Sequence, residues 1–388
     1  MRVFRAVVLM PKNNSFYNNL SRSICRAFEG EGVSVLGHCG PLAERDYVEM
    51  MALFNPDIVF EMNRVRSEVP WLDRRIKHIS WVVDLEGRDE SQLMGSDITY
   101  FFDPSWVHYD PGGHKDWLPP GGTVRDAGSR LSTNVDVVFF GHIPQPWSES
   151  DLGRKLGQTQ EKQYTFGDLL DEFYKELKKN YEEHRSLAVD SPLKAKSLAL
   201  AILKKRTGVG QLDRVIEYDL LQRNKRLLAR LELMNIILRS GLQNLEIYGS
   251  DNWNCWQEFR PYYRGYLHSI AKVQQVITSS RFCLHEGLGM HFRAMDCLGA
   301  GGNLLFYAPR SDNTRKIRQV WGLHTWFSAG EDYVEVWSEN EIQEIQDRVT
   351  HDRVFLDEMG KKAQHKVRVM HTWRHRVQKI IRDIERYL

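Results

Sequence analysis

The chain has 388 residues, 42% of them hydrophobic and 27% charged, and its 53 basic and 51 acidic side chains leave a net charge of +2. The composition is that of an ordinary globular protein, and the length exceeds what one core usually organises, so two domains are expected. The near balance of charge argues against nucleic acid or an anionic membrane as a bulk electrostatic partner, and no apolar run is long enough to cross a bilayer.

Arg5–Met10 alternates like a first strand and is too short an apolar stretch for a signal peptide. Ser15–Glu29 places Leu20, Ile24 and Phe28 at helical spacing, Val33–Leu36 is a second strand, and a helix over Glu44–Phe54 leads to a buried strand, Asp57–Met62. His78–Val83 and Asp97–Phe102 add two more strands. Strands separated by helical patterns imply parallel βαβ units. Asp110-Pro-Gly-Gly-His and Trp117-Leu-Pro-Pro-Gly-Gly122 interrupt the series and read as an interdomain connection. A second series opens at Val135–Gly141, and a charged helical block over 148–240 follows. Strands resume at Asn244–Gly249, Ser279–Leu284 and Gly302–Tyr307. From Asp352 to Leu388 the pattern is a basic amphipathic helix, read as solvated surface because acids interleave. Five cysteines without a C-x-x-C pair read as buried thiols in a reducing, cytoplasmic setting. The expected architecture is α/β: two Rossmann-like domains facing a cleft, over 1–134 and 135–365, followed by residues 366–388. Ligands in such sheets sit beyond the strand C-termini.

The most informative stretch is Leu284-His-Glu-Gly-Leu-Gly-Met-His-Phe-Arg-Ala-Met-Asp-Cys-Leu-Gly-Ala-Gly-Gly302. A strand empties into a glycine-bearing loop and a short helix follows. Such a loop admits a ligand to the backbone, and a helix N-terminus offers N–H groups to phosphate. Arg293 and Asp296, three apart, share a helix face, and an acid there can accept hydrogen bonds from ribose hydroxyls. Together these parts suit a sugar nucleotide.

Arg293-Ala-Met-Asp296 followed by Gly301-Gly302 resembles the Arg-x-Phe-Glu…Cys-Gly-Gly signature of the CgeB-like group of GT-B glycosyltransferases, which shares the glycosyl transferases group 1 module. His371-Thr-Trp-Arg-His-Arg376 is similar to that group's terminal His-Thr-x-x-x-Arg, Phe327-Ser-Ala-Gly-Glu-Asp-Tyr333 to its Phe…Gly-Glu-Glu stretch, and Trp81-Val-Val-Asp84 to its Trp-x-x-Asp. The resemblance covers Leu245–Leu388 well and the first domain in outline, and it implies that the C-terminal helix over 366–388 crosses back onto the first domain. Asp296 stands where the group has Glu, and the helical block matches nothing in it.

The resemblance implies a glycosyltransferase that moves a sugar from a nucleoside-diphosphate donor, with UDP the expected carrier, to an acceptor hydroxyl. It implies no metal or cofactor, so cations and helix N–H groups must meet the leaving-group charge. Asp296 is then the ribose ligand and Arg293 the diphosphate ligand. Gly287, Gly289, Met290 and Phe292 belong to the donor loop, with Glu286 toward a sugar hydroxyl and His291 toward phosphate or sugar oxygen. His285 is a donor-site candidate that is equally a structural imidazole. Gly249 and Ser250 would line the base or the diphosphate, and Tyr266 the base. Asp84, ending an apolar strand, is the candidate catalytic carboxylate, with Glu86 behind it, although an Asp there can also cap a helix. Asn13-Asn-Ser is a candidate acceptor contact. The partners expected are the donor and a glycan, protein or lipid acceptor, with the helical block a candidate homodimer contact. A sugar-nucleotide epimerase or hydrolase and a non-catalytic assembly protein are the competing readings.

Overall fold

The computed structural model describes residues 5–85, 88, 90–125, 135–184, 192–242, 244–286, 290–307, 322–351 and 353–388. In the first domain β1 (Arg5–Met10) leads to α1 (Ser15–Gly30), β2 (Ser34–Cys39), α2 (Glu44–Phe54), β3 (Ile58–Met62), β4 (Lys77–Val82), β5 (Ile98–Phe101) and β6 (His114–Trp117). These strands form one sheet in the order β2-β1-β3-β4-β5-β6, every neighbouring pair parallel. Its central strands are buried along nearly their whole length, as expected of a sheet covered on both faces. β6 lies where the sequence reads as an interdomain connection. His-Lys-Asp-Trp has no apolar run, and it pairs only with β5, at the sheet edge.

The chain then forms β7 (Val135–Phe140) and leaves the sheet. After the short α3 (Glu149–Leu152), an antiparallel hairpin of β8 (Lys155–Gln158) and β9 (Gln163–Thr165) precedes α4 (Phe166–His184), α5 (Pro192–Thr207) and α6 (Arg214–Tyr218). One π-helical turn, Asp219–Arg223, joins α6 to α7 (Asn224–Arg239). The charged block is therefore two things. Phe166, Leu169, Phe173, Leu177, Ala199 and Leu203 close a core of their own, whereas Leu227, Leu233, Met234 and Ile237 of α7 pack with the second sheet. β10 (Leu245–Tyr248), α8 (Ile270–Ser279), β11 (Ser280–Glu286), α9 (Phe292–Ala300), β12 (Leu304–Tyr307) and β13 (Val334–Val336) complete that parallel sheet, ordered β10-β7-β11-β12-β13.

Three helices close the chain: α10 (Glu339–His351), α11 (Arg353–Met370) and α12 (Trp373–Tyr387). The single C-terminal helix read from sequence is thus broken at His371-Thr372. Trp373, Val377, Ile380 and Ile384 form a stripe at helical spacing that joins the first domain's core beside Phe28, Phe60 and Trp81, the geometry of an amphipathic helix docked on a sheet domain. Its far end is tied by Tyr100, whose hydroxyl donates to Asp383 at 2.7 Å. Among the described residues, no helix is long and apolar enough to cross a membrane.

Candidate active site

A cleft of about 940 Å³ opens between the two sheets. Its walls are the segments that follow strands: Asn63 after β3, Val83 and Asp84 after β4, Phe102 after β5, Gly141 and His142 after β7, Gly249 and Ser250 after β10. These are the C-terminal ends of both parallel sheets, where α/β folds bind ligands. α9 enters the same cleft through His291, Phe292, Arg293 and Asp296.

The start of α9 is built by its own sequence. The His291 ring caps the helix, its Nδ1 accepting the Arg293 backbone N–H at 3.3 Å and facing Arg293 Nε at 3.4 Å. Burial and the nearby Arg293 and Arg230 charges hold the His291 pKa well below the imidazole range, so the ring is neutral and free to accept. One of the N–H groups that this N-terminus could offer to phosphate is therefore already bonded within the helix cap. At the other end Gly301 sits at φ +77°, a left-handed cap that glycine adopts without steric cost. This is why the helix stops at the glycine run.

Phe292 reaches across to the first domain, stacking on Phe102 at 5.3 Å and meeting Phe16 and Trp81 edge-on at 5.2 and 5.7 Å. The next side chain, Arg293, donates to the Phe140 carbonyl oxygen at 2.9 Å. Burial lowers its pKa to about 10, which leaves it a cation at neutral pH. Asp296 makes no hydrogen bond or ion pair with another described residue, and burial pushes its carboxyl up to about 7. Among the described residues Arg293 forms no ion pair with Asp296 or with Glu286, which pairs with Arg230 instead.

Two further arginines, not anticipated from sequence, share this wall. Arg230 of α7, 7% exposed, donates from Nε to the His142 carbonyl at 3.0 Å and forms an ion pair with Glu286. The Arg230 and Arg293 guanidiniums lie 5.2 and 5.3 Å from the centroid of the Phe139 ring. Burial and the charges of Arg293 and Arg226 lower the Arg230 pKa, but the touching Glu286 carboxylate opposes this and a guanidinium stays protonated. Arg226 stands one turn earlier on the same face of α7 and lines the cleft. Arg226, Arg293 and the Glu286-paired Arg230 gather guanidiniums on one wall, an arrangement suited to an anion. The available sequence signal was Arg226 and Arg230 at i, i+4, hidden in a block where charge is everywhere.

His142 and Ser250 join β7 to β10 across the cleft floor, with Nδ1 and Oγ 2.8 Å apart. Gly249 is held by packing. A Cβ there would lie 1.9 Å from the Gly141 carbonyl oxygen, so no larger residue fits whatever the ligand. Tyr266 lines the cleft and is 46% exposed, its ring tilted against His268 at 4.9 Å.

Asp84 is exposed in the cleft. Asn63, at φ +61°, accepts the Val83 and Asp84 backbone N–H groups at 2.7 and 2.8 Å and so fixes the loop that carries it. Tyr17 is close enough that burial and then the Asp84 charge raise its pKa.

Other expected site residues lie elsewhere. His285 and Met290 are 1% and 2% exposed and do not line the cleft, His285 because β11 is a central strand and Met290 because it joins a hydrophobic core with Met295 and Leu298. Glu286 faces Arg230, so it is committed to a countercharge rather than presented to a sugar. Asn14 caps α1 and Asn13 accepts from Asn18 at 3.1 Å; neither lines the cleft. Glu86, Gly287 and Gly289 lie outside the described residues. One group among the described residues, His114, Asp116 and Asp383, has the spacing to approach a cation. Lys379 already pairs with both of its carboxylates, and none of the three lines the cleft.

Residues 223–382 match the model of the glycosyl transferase-like family, a broader group than the CgeB-like one. No curated protein matches the chain. The structure is similar to that of HepE from Anabaena in complex with UDP-glucose, with a TM-score of 0.50 at 11% identity over 99% of this chain and 100% of that one. An alpha-glucosyltransferase in complex with UDP and a 13-mer DNA gives 0.49 at 12% identity over 98% and 100%, and the glycosyltransferase VinC in complex with dTDP gives 0.41 at 10% over 98% and 100%. The HepE likeness shows the fold, and the family match places a glycosyl transferase-like region in the second half of the chain. The chain has the GT-B architecture, and its residues 223–382 match the glycosyl transferase-like family.

Proposed function

We propose that this chain is a glycosyltransferase that takes its sugar from a nucleoside diphosphate, with UDP as carrier, that its donor lies on the second-domain wall, and that it works without a bound metal. The observation that carries the reading is the convergence of Arg293, Arg226 and Asp296 on one cleft at the C-terminal ends of both sheets. Arg293 and Arg226 meet the diphosphate, and Arg230, locked by Glu286 and the His142 carbonyl, adds to the field. Asp296, with no other partner among the described residues, accepts from the ribose. Tyr266 and Ser250 face the base side.

Asp84 takes the proton from the acceptor hydroxyl. The acceptor oxygen then bonds to the anomeric carbon, the bond from that carbon to the phosphate oxygen breaks, and the nucleoside diphosphate leaves against the arginines. Stabilising the leaving anion with placed cations supplies the part that a divalent ion would otherwise play. Release of UDP from UDP-sugars, with and without candidate acceptors, tests this. Arg293→Ala should lower kcat/KM by about 100-fold or more, the usual cost of removing one preorganised group facing transition-state charge. Near-normal turnover in that variant removes its phosphate role, and release that no acceptor accelerates favours an epimerase or hydrolase.

A further inference from the structure

One face of α1 is unused by any role assigned so far. Asn19, Arg22, Ser23 and Arg26 recur every three or four residues and all line the cleft, while Leu20, Ile24, Ala27 and Phe28 on the opposite face are buried in the first domain's core. The polar face is therefore held rigidly against the cleft by packing from behind. Arg22 and Arg26, one turn apart, are both exposed. Arg22 makes a single long contact, to Asn19 Oδ1 at 3.5 Å. Arg26 has no ion pair or hydrogen bond with another described residue. Two guanidiniums without countercharge in a concave wall repel each other, an arrangement relieved by an anionic ligand.

The donor does not account for them. Its phosphate-side cations, Arg226, Arg230 and Arg293, belong to the second domain, and α1 belongs to the first, on the side of Asp84. Helical rise sets Arg22 and Arg26 roughly 10 and 16 Å along the axis from Ser15, at the cleft end of β1. That span exceeds one sugar ring. Tyr17 and Trp106 add aromatic surface to the same wall, which suits the apolar faces of saccharide rings. Asp103 on this side accepts from the Ser105 N–H and hydroxyl at 2.8 and 2.7 Å, and Asp84 stands exposed in the same cleft.

We propose that Arg22 and Arg26 form an anion-recognising acceptor subsite, so that the acceptor is an acidic saccharide bearing a carboxylate or a phosphate ester. The inference rests on the glycosyltransferase reading, with the acceptor hydroxyl at Asp84 and the acidic group further along α1.

Binding of three probes would be followed by titration calorimetry, with and without UDP: a galacturonate tetrasaccharide, glucose 1-phosphate, and neutral maltotetraose. At least one acidic probe should bind about 10-fold more tightly than maltotetraose and weaken as salt is raised. The Arg22→Gln/Arg26→Gln double variant should lose that preference while retaining its melting temperature and its UDP affinity. The carboxylate and phosphate arms identify which acid is read. Equal binding of acidic and neutral probes, or an unchanged preference in the double variant, overturns the subsite. Failure of the wild type to bind UDP would instead sink the donor assignment, and the probe titrations without UDP still decide the subsite.

Discussion

At the residue scale, the cleft holds groups whose protonation is set by where the fold buries them. Asp296 is the clearest case, with burial raising its carboxyl to about 7 from about 3.9 in an unfolded chain. A carboxyl raised on folding binds more protons in the native state, so its contribution to stability is complete below about pH 4 and is lost as the pH climbs through 7. Between pH 5 and 8 the unliganded wild type should therefore lose stability relative to Asp296→Asn, and chemical denaturation of both at the two pH values measures it. Parallel behaviour of the two proteins would show that Asp296 is ordinary and solvated. The acid itself, and Arg293 beside it, were readable from Arg-x-x-Asp on a short helix after a glycine loop. Its raised pKa was not, because burial is set by the folded packing and not by the local pattern of residues.

At the element scale, the terminal His-Thr-x-x-x-Arg motif turns out to hold the structure together. Arg376 is 7% exposed, donates from Nε to the Pro119 carbonyl at 2.9 Å and lies 3.1 Å from His371 Nδ1. Burial first, then Arg376, His375 and Lys366, lower the His371 pKa to about 3, so its ring is a neutral acceptor. The Phe327 ring packs on His371 at 5.3 Å, which brings two motif fragments into contact although 44 positions separate their numbers in the sequence. Arg376→Met would leave buried carbonyls without a donor and should cost ~1–3 kcal/mol, seen as a lower unfolding midpoint with UDP affinity retained once folded. Loss of UDP affinity at unchanged stability would place this motif in the site instead. Strands with long apolar runs, such as Ile58–Met62 and His78–Val83, were legible because parallel sheets bury both faces. β6 was not, since an edge strand needs no apolar run. The division of the helical block at Asp219–Arg223 was also hidden, because helical periodicity continues through the π turn while the core it serves changes.

At the scale of the whole molecule, two sheets meet across one cleft, and the chain crosses between them repeatedly. Phe292 inserts into the first domain's aromatic cluster, and α12 returns with Trp373 set against Trp81 at 5.6 Å. The architecture was foreseeable from alternating strands and helices, whereas the convergence of Arg226 and Arg230 with Arg293 depends on a tertiary return across more than sixty positions. The donor assignment depends on that convergence. Calorimetric titration of UDP into the wild type and Arg293→Ala tests it most directly. The account predicts saturable binding at one site, weakened about 10-fold or more in the variant. Absence of binding in the folded wild type, or equal affinity in the two proteins, would contradict it.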